Sequence, residues 1–354
     1  MAESVLRGRR ISRRVFLKGA AAAGGLLALG PLSACDGVEP DDMPSSPLRI
    51  GTVSTWAAWG SLYIAERKGF FKQYGADVEI KSYAYSGALD ALSTKKLDAA
   101  FLVVSDVVPM AAAGLPVQVV WAVDQVLTSD ALVVRAGVNE LGDLRGGRIG
   151  VLYGGFSHFW VLKALEAKGI APDEVSFMDV AGEDVPARLR SGEIDAGETW
   201  EPHISEAVED DGQALLFPAN SPVPMIEGLV FQRAPIEKRP ADVQAAVRGL
   251  MAAQQWWRRN PIEGNAVVAD GMNAFVGEGD AEVTSVDIER TIAGLWLYRV
   301  EDNERVFARS DHAGSLYTVL AAVNDFFMRL GIVEESPALD GVLNATFMRE
   351  AAAS

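Results

Sequence analysis

The chain has 354 residues, 48 acids against 32 bases, a formal net charge of −16, and one cysteine, Cys35. That balance argues against nucleic acid and anionic membrane faces as partners. A lone cysteine leaves no disulfide to form and no cysteine cluster to hold a metal. With 49% hydrophobic residues, the stretch from Leu48 onward is long enough for two ordinary cores.

Residues 12–18 read SRRVFLK, and a small, apolar stretch runs from Gly19 to Ala34. It is too short and too rich in Gly and Ala for a convincing membrane span. Arg13–Arg14 followed by Phe16 and Leu17 resembles a twin-arginine export signal. LSAC, Leu32 to Cys35, resembles the lipobox of bacterial lipoproteins. These resemblances imply a signal peptide over 1–34 and a lipid on Cys35. Asp36, next in line, leans toward the inner membrane in hosts with two membranes. Six bases and one acid lie in 1–34, so 26 bases and 47 acids remain, a net charge near −21. Residues 35–47 form the lipidated tether, and DGVEPDDMPSSP (36–47) is polar throughout.

From Leu48, strand-length apolar runs alternate with helical stretches, which predicts α/β architecture with largely parallel sheets. Strands are expected at 49–54, 77–84 and 99–104, then at 148–153 and 195–198. Ala131–Arg135 and Gly228–Gln232 read as strands leading out of two similar units. Leu97-Asp98-Ala99 recurs as Ile194-Asp195-Ala196, and Leu132-Val133-Val134 as Leu229-Val230-Phe231, both at an offset of 97. Arg49-Ile50-Gly51 recurs as Arg148-Ile149-Gly150 at an offset of 99. Three matches in order suggest an internal duplication. The helix predicted over 241–259 stops at Asn260-Pro261. It and two later helices are expected to pack on the first lobe, with Trp256, Trp257, Trp296 and Phe326 as packing residues.

The stretches GTVSTWAAWGSLYIAERKGFF (51–71), YSGALDALSTKKLDAA (85–100), LRGGRIGVLYGGFSHF (144–159) and LRSGEIDAGETWEPH (189–203), with NPIEGN (260–265), carry a resemblance. They resemble solute-binding proteins of ABC importers, in the nitrate/sulfonate/taurine and thiamine-pyrimidine-precursor group. The resemblance implies the type II periplasmic-binding-protein fold. That fold has two α/β lobes, mostly parallel sheets with helices on both faces, a ligand cleft between the lobes, and two hinge crossings. Lobe 1 is expected over 48–126 and 226–354, and lobe 2 over 127–225. The resemblance implies an extracytoplasmic, lipid-anchored monomer that hands a small molecule to a permease and its ATPase. It implies no chemistry and no cofactor.

In open parallel sheets, ligands sit beyond the carboxyl ends of strands. That rule selects Thr55, Trp56, Tyr85, Ser86, Ser105 and Asp106 in the first lobe. In the second it selects Gly155, Phe156, Ser157, His158, Thr199, Trp200 and Glu201. Asp124 joins them as a nearby acid. Ser86, Ser105 and Thr199 suit helix caps as well as ligand contacts. Helix starts would favour an anionic or polar ligand end. No Arg or Lys lies in these loops, so no guanidinium clamp for a carboxylate or phosphate is visible. Acids beside aromatic faces suit a cationic or amino-bearing ligand. Asp124, Asp130 and Glu227 are otherwise expected on a solvated rim, although Asp130 and Glu227 match at an offset of 97.

The expectation is therefore an amine-bearing or zwitterionic ligand, taurine-like or aminopyrimidine-like. Trp200 would offer a face and Glu201 a charge within TWEPH (199–203). His158, His203, Glu201 and Asp106 match no metal-site spacing, so no metal is expected. Two alternatives keep the same fold: an enzyme acting on a pyrimidine-like metabolite, and a sensory binding protein that docks on a receptor.

Overall fold

The computed structural model describes residues 46–53, 56–209, 212–276 and 282–353. Arg13, Arg14, Cys35 and Thr55 lie outside the described residues. Among those described, no helix is long and apolar enough to cross a membrane.

Among the described residues, eleven strands form two sheets. They are β1 (Leu48–Val53), β2 (Val78–Tyr83), β3 (Ala99–Val103), β4 (Val117–Val126), β5 (Asp130–Val134), β6 (Arg148–Val151), β7 (Ser176–Asp179), β8 (Ala196–Trp200), β9 (Gln213–Leu216), β10 (Met225–Gln232) and β11 (Leu295–Leu297). The first sheet runs β11-β4-β10-β3-β1-β2, and the second β7-β6-β8-β5-β9. Helices cover them.

Each sheet is mixed rather than largely parallel. β1, β2 and β3 are parallel, as are β6, β7 and β8, while β10 and β5 run antiparallel to β3 and β8. The direction follows from the connections. The chain leaves β4 through 127–129 for the second sheet and returns from β9 through 217–224. Strands that enter a lobe at the cleft run away from it, whereas the parallel strands run toward it.

The repeated tripeptides have a common mechanical role. In the first lobe Asp98 accepts from the Arg49 backbone N–H at 2.9 Å and from its guanidinium, and Asp98 N–H donates to Arg49 O at 2.9 Å. In the second, Asp195 accepts from Arg148 N–H at 2.8 Å and from its guanidinium, and Asp195 N–H donates back at 2.8 Å. The Asp98 and Asp195 carbonyls then accept from Gln232 and Arg135, the ends of β10 and β5. Gly51 leaves room for Leu97, and a Cβ there would stand 2.4 Å from Leu97 Cδ1. Gly150 does the same for Ile194. Each L/I-D-A turn thus pins the start of the central strand and the end of the incoming one.

Helix Pro240–Arg259 lies over helices Ser61–Arg67 and Phe70–Tyr74 of the first lobe. Small residues set the approach: Gly249 meets Phe71, and Gly60 and Gly264 meet Trp257. Trp257 and Phe326 are buried, and Trp256 carries Lys68 Nζ 4.8 Å from its ring centroid. Trp296 is exposed beside Arg305. Helix Leu316–Arg329 does more than cover the first lobe. It also touches the second-lobe helix Phe156–Ala167, with Phe326 edge-on to Phe159 at 4.9 Å and Arg329 on Glu166 at 3.3 Å.

A β-bulge shapes the cleft floor. In the β10–β4 pairing Glu227 opposes Asp124, and the next residue, Gly228, opposes Ala122. The carbonyl of the extra residue, Val123, accepts from Tyr298 N–H at 2.9 Å and Gln254 Nε2 at 3.0 Å. Bulges of this kind re-aim side chains beside sites.

Candidate functional site

Between the lobes lies a cavity of about 50 Å³. Its first-lobe wall is Val53, Trp56 and Trp59 after β1, Tyr85 and Ser86 at a helix start, and Val103 and Asp106 after β3. Its second-lobe wall is Leu152, Phe156 and Ser157 after β6, Ala181, Gly182 and Glu183 after β7, and Glu198 and Trp200 on β8. Asp130 on β5 and Met225 and Glu227 on β10 complete it, at the points where the chain crosses between lobes. Five aromatic rings and five carboxyl groups line this space, and no Lys or Arg does among the described residues.

The carboxyl groups are organised. Glu227 Oε2 accepts from the indole N–H of Trp56 and of Trp59, both at 2.8 Å. Trp56 and Trp59 are three apart across a 3-10 turn, which puts both indoles on one side. Burial pushes the Glu227 carboxyl up to about 7, and the two indole donors act against that rise. Asp124 stands directly opposite on β4, fully buried, and both its oxygens lack a donor. Like charges at opposed positions repel. Two buried, opposed carboxyl groups do not both ionise cheaply, so the pair favours keeping one proton. Burial and then Glu227 raise the Asp124 carboxyl well above its ordinary range.

Asp130 and Glu198 make a second such pair on β5 and β8. Both are buried and both are raised, foremost by burial. Asp130 Oδ1 is buried without any partner. Ser157, beside Glu198 on the cavity wall, opposes that carboxyl's rise, and its Oγ accepts from Leu152 N–H at 3.2 Å. Outside the two pairs, Asp106 spans the lobes. Its Oδ2 accepts from Tyr85 O–H at 2.6 Å, and its Oδ1 accepts from Phe156 N–H at 3.1 Å. Burial raises Asp106 to about 6, with both donors opposing.

Of the residues expected from sequence, Trp56, Tyr85, Ser86, Asp106, Phe156, Ser157 and Trp200 line the cavity. Several others do not. Glu201 turns away from the cleft, and its carboxylate accepts from Ser205 N–H at 3.2 Å and Ser205 Oγ at 3.1 Å, capping helix His203–Glu209. Thr199 faces the opposite side of β8 from Glu198 and Trp200, and donates to Gly182 O at 2.7 Å. His158 is buried between Tyr153 and Phe177, with Nδ1 accepting from Gly154 N–H. Burial lowers its imidazole to about 4, so it is neutral at pH 7. Ser157 Oγ and His158 Nδ1 each accept from backbone N–H groups, Leu152 and Gly154, and no hydrogen bond joins the two side chains.

Gly155 is the N-cap of helix Phe156–Ala167. Ser105 is buried outside the lining, and neither Ser86 nor Ser105 makes a cap bond. The solvated rim expected for Asp124, Asp130 and Glu227 is wrong: they are 0%, 3% and 2% exposed. Trp59, Glu183 and Glu198 are additions that sequence reasoning missed. Gly182 is another, needed because a Cβ there would fall 2.1 Å from the Trp200 ring.

The reassignment of Glu201 has a direct check. Glu201→Ala is expected to cost about 1 kcal/mol of stability, a cap's worth, and to leave ligand affinity unchanged. Thermal melts and calorimetry on the variant read both quantities. A large affinity loss would return Glu201 to the ligand.

Comparison with known proteins agrees with this architecture. The chain is 29% identical over 197 residues to the taurine-binding periplasmic protein of Escherichia coli strain K12, covering 54% of this chain and 61% of that protein. The alignment thus leaves more than a third of that relative unmatched. The alkanesulfonate-binding protein SsuA of Xanthomonas axonopodis pv. citri, solved with MOPS, superposes with a TM-score of 0.67 at 16% identity, over 86% of this chain and 99% of that one. The desulfurization enzyme DSZB shares the fold, with a TM-score of 0.60 at 16% identity over 87% and 99%. The family model described as NMT1/THI5 like matches residues 56–264. More than half of the chain falls within that match, and the chain belongs to the NMT1/THI5-like family.

Proposed function

We propose that the chain is an extracytoplasmic solute-binding protein of an ABC import system, and that its ligand is small and carries an amine or amidine-like group. The observation that carries this reading is the cavity lining, with five aromatic rings, five carboxyl groups and no basic side chain among the described residues. Aromatic faces attract cations by about 0.5–2 kcal/mol each, and buried carboxyl groups without a counter-ion either hold a proton or give it up to a positive partner. The relatives bind taurine or alkanesulfonates, and taurine too carries an amine. The leader at Arg13–Arg14 and the LSAC stretch ending at Cys35 support export and a lipid anchor. The two-lobed form, with a cavity where the lobes meet, supports capture there and release to a permease.

A thermal-shift screen of the mature domain tests the ligand class. The panel holds alkylamines, amidines, aminopyrimidines, aminosulfonates and plain inorganic anions. A ligand at 100 times its Kd adds about 2.7 kcal/mol of stability. Amine-bearing compounds are expected to raise the melting temperature, and sulfate and nitrate to leave it alone. Stabilisation by inorganic anions only would sink the reading. Recovery of the bound compound unchanged separates binding from turnover.

A further inference from the structure

We propose that the cleft accepts a net cation with no acidic end, and that Asp106 is the residue that shuts acids out. This rests on the amine-binding reading and narrows it. Helix Phe156–Ala167 starts at the cavity, and its first two residues are part of the lining. A free helix start is an anion acceptor. Here it is already taken. The N-cap, Gly155, offers no side chain, and Asp106 reaches across from the other lobe to accept from Phe156 N–H at 3.1 Å.

Asp106 is fixed in that position. It is 4% exposed, and its second oxygen accepts from Tyr85 O–H at 2.6 Å. Tyr85 is itself held, accepting from Val103 N–H at 3.0 Å. A ligand sulfonate or carboxylate would have to displace an internal carboxylate from this helix start and then face Glu198, Asp130 and Glu227. Of the other helix starts at the cavity, Tyr85–Ser93 offers Ser86 at an exposed position, where water competes for its donors, and the 3-10 turn Gly182–Asp184 brings Glu183, a further acid, into the lining. Asp130 Oδ1, buried and without a partner on the same cavity, still requires a donor, which an amine supplies. Specificity built from repulsion of the wrong partner is as effective as attraction of the right one.

The test is calorimetry on the intact mature protein with three matched pairs. These are ethylamine against taurine, methylguanidinium against guanidinoacetate, and 4-amino-2-methylpyrimidine against its 5-carboxylate. In the wild type the acid-free member of any pair that binds is expected to be preferred by ~100-fold or more, and Asp106→Asn to narrow that preference at least ~10-fold. Asp106→Glu, which restores the charge, is expected to recover most of it. An acid-bearing member that binds as tightly as its partner overturns the proposal, as does an unchanged ratio in Asp106→Asn. Those outcomes leave amine binding standing. If no amine of either kind binds while sulfate or a plain sulfonate does, the amine reading fails and this proposal fails with it.

Discussion

Glu227→Gln is expected to weaken binding of the amine ligand by ~100-fold while the fold survives. The loss corresponds to about 3 kcal/mol, within the range for removing one partner of a buried charge pair. The fold survives because the hydrogen-bond geometry is preserved. An amide carbonyl oxygen can still accept from the Trp56 and Trp59 indoles, now at 2.8 Å each. The amide NH₂ then faces Asp124, whose oxygens lack any donor. What disappears is the negative charge on which the two indole N–H groups converge. Calorimetry with the best amine of the screen reads the affinity, and a thermal melt reads the fold. Affinity within a factor of a few of wild type, in a variant that melts normally, would remove Glu227 from the binding machinery.

Much of the architecture was legible because it rests on short, repeated devices. The R-I-G and L/I-D-A tripeptides recur because an aspartate must pin the neighbouring strand and a glycine must admit its leucine or isoleucine, in both lobes alike. The aromatic half of the site was legible for a similar reason: strand ends in an α/β sheet predict where loops converge. The acidic half was not. Glu198 and Trp200 share a face of β8 by strand alternation, but the eye goes to Glu201, which stands next to the tryptophan in sequence. Glu201 lies past the strand, where the local pull of a helix start claims it.

Asp124, Asp130 and Glu227 look like rim residues because acids rarely go fully inside. The matched offset of Asp130 and Glu227 was the available signal. Two acids at equivalent hinge positions in two lobes both face one cleft. Only the pairing register, with its bulge at Val123, reveals that Asp124 sits against Glu227.

The same buried acids predict opposite pH slopes for the empty and the loaded protein. Asp124, Asp130, Glu198 and Glu227 all hold protons more tightly when folded, foremost through burial. An acid whose folded value is raised favours the fold below its unfolded value, and that contribution is lost as pH climbs through the folded value. For Glu227 the folded value is about 7, so the empty protein is expected to lose stability between pH 6 and pH 8. A cation reverses the sign. It prefers the ionised acids, so affinity rises over the same window, by up to about tenfold per pH unit for each proton exchanged.

The groups facing Glu227 are the Trp56 and Trp59 indoles, Asp124 and Asp106, with no basic side chain among them to mask the effect. His158, lowered to about 4, stays neutral throughout. Methylguanidinium, whose own charge is fixed, isolates the protein's titration. Calorimetry in two buffers of different ionisation enthalpy counts the protons released, with about one expected per opposed pair that ionises. Asp124→Asn breaks one pair and is expected to flatten both slopes, which separates this effect from the general self-repulsion of an acidic chain. Affinity that is level or falls from pH 6 to pH 8, with no proton released, would mean that the paired acids stay protonated under the ligand. The charge recognised by the cleft would then have to come from the carboxyl groups outside the two pairs, Asp106 and Glu183.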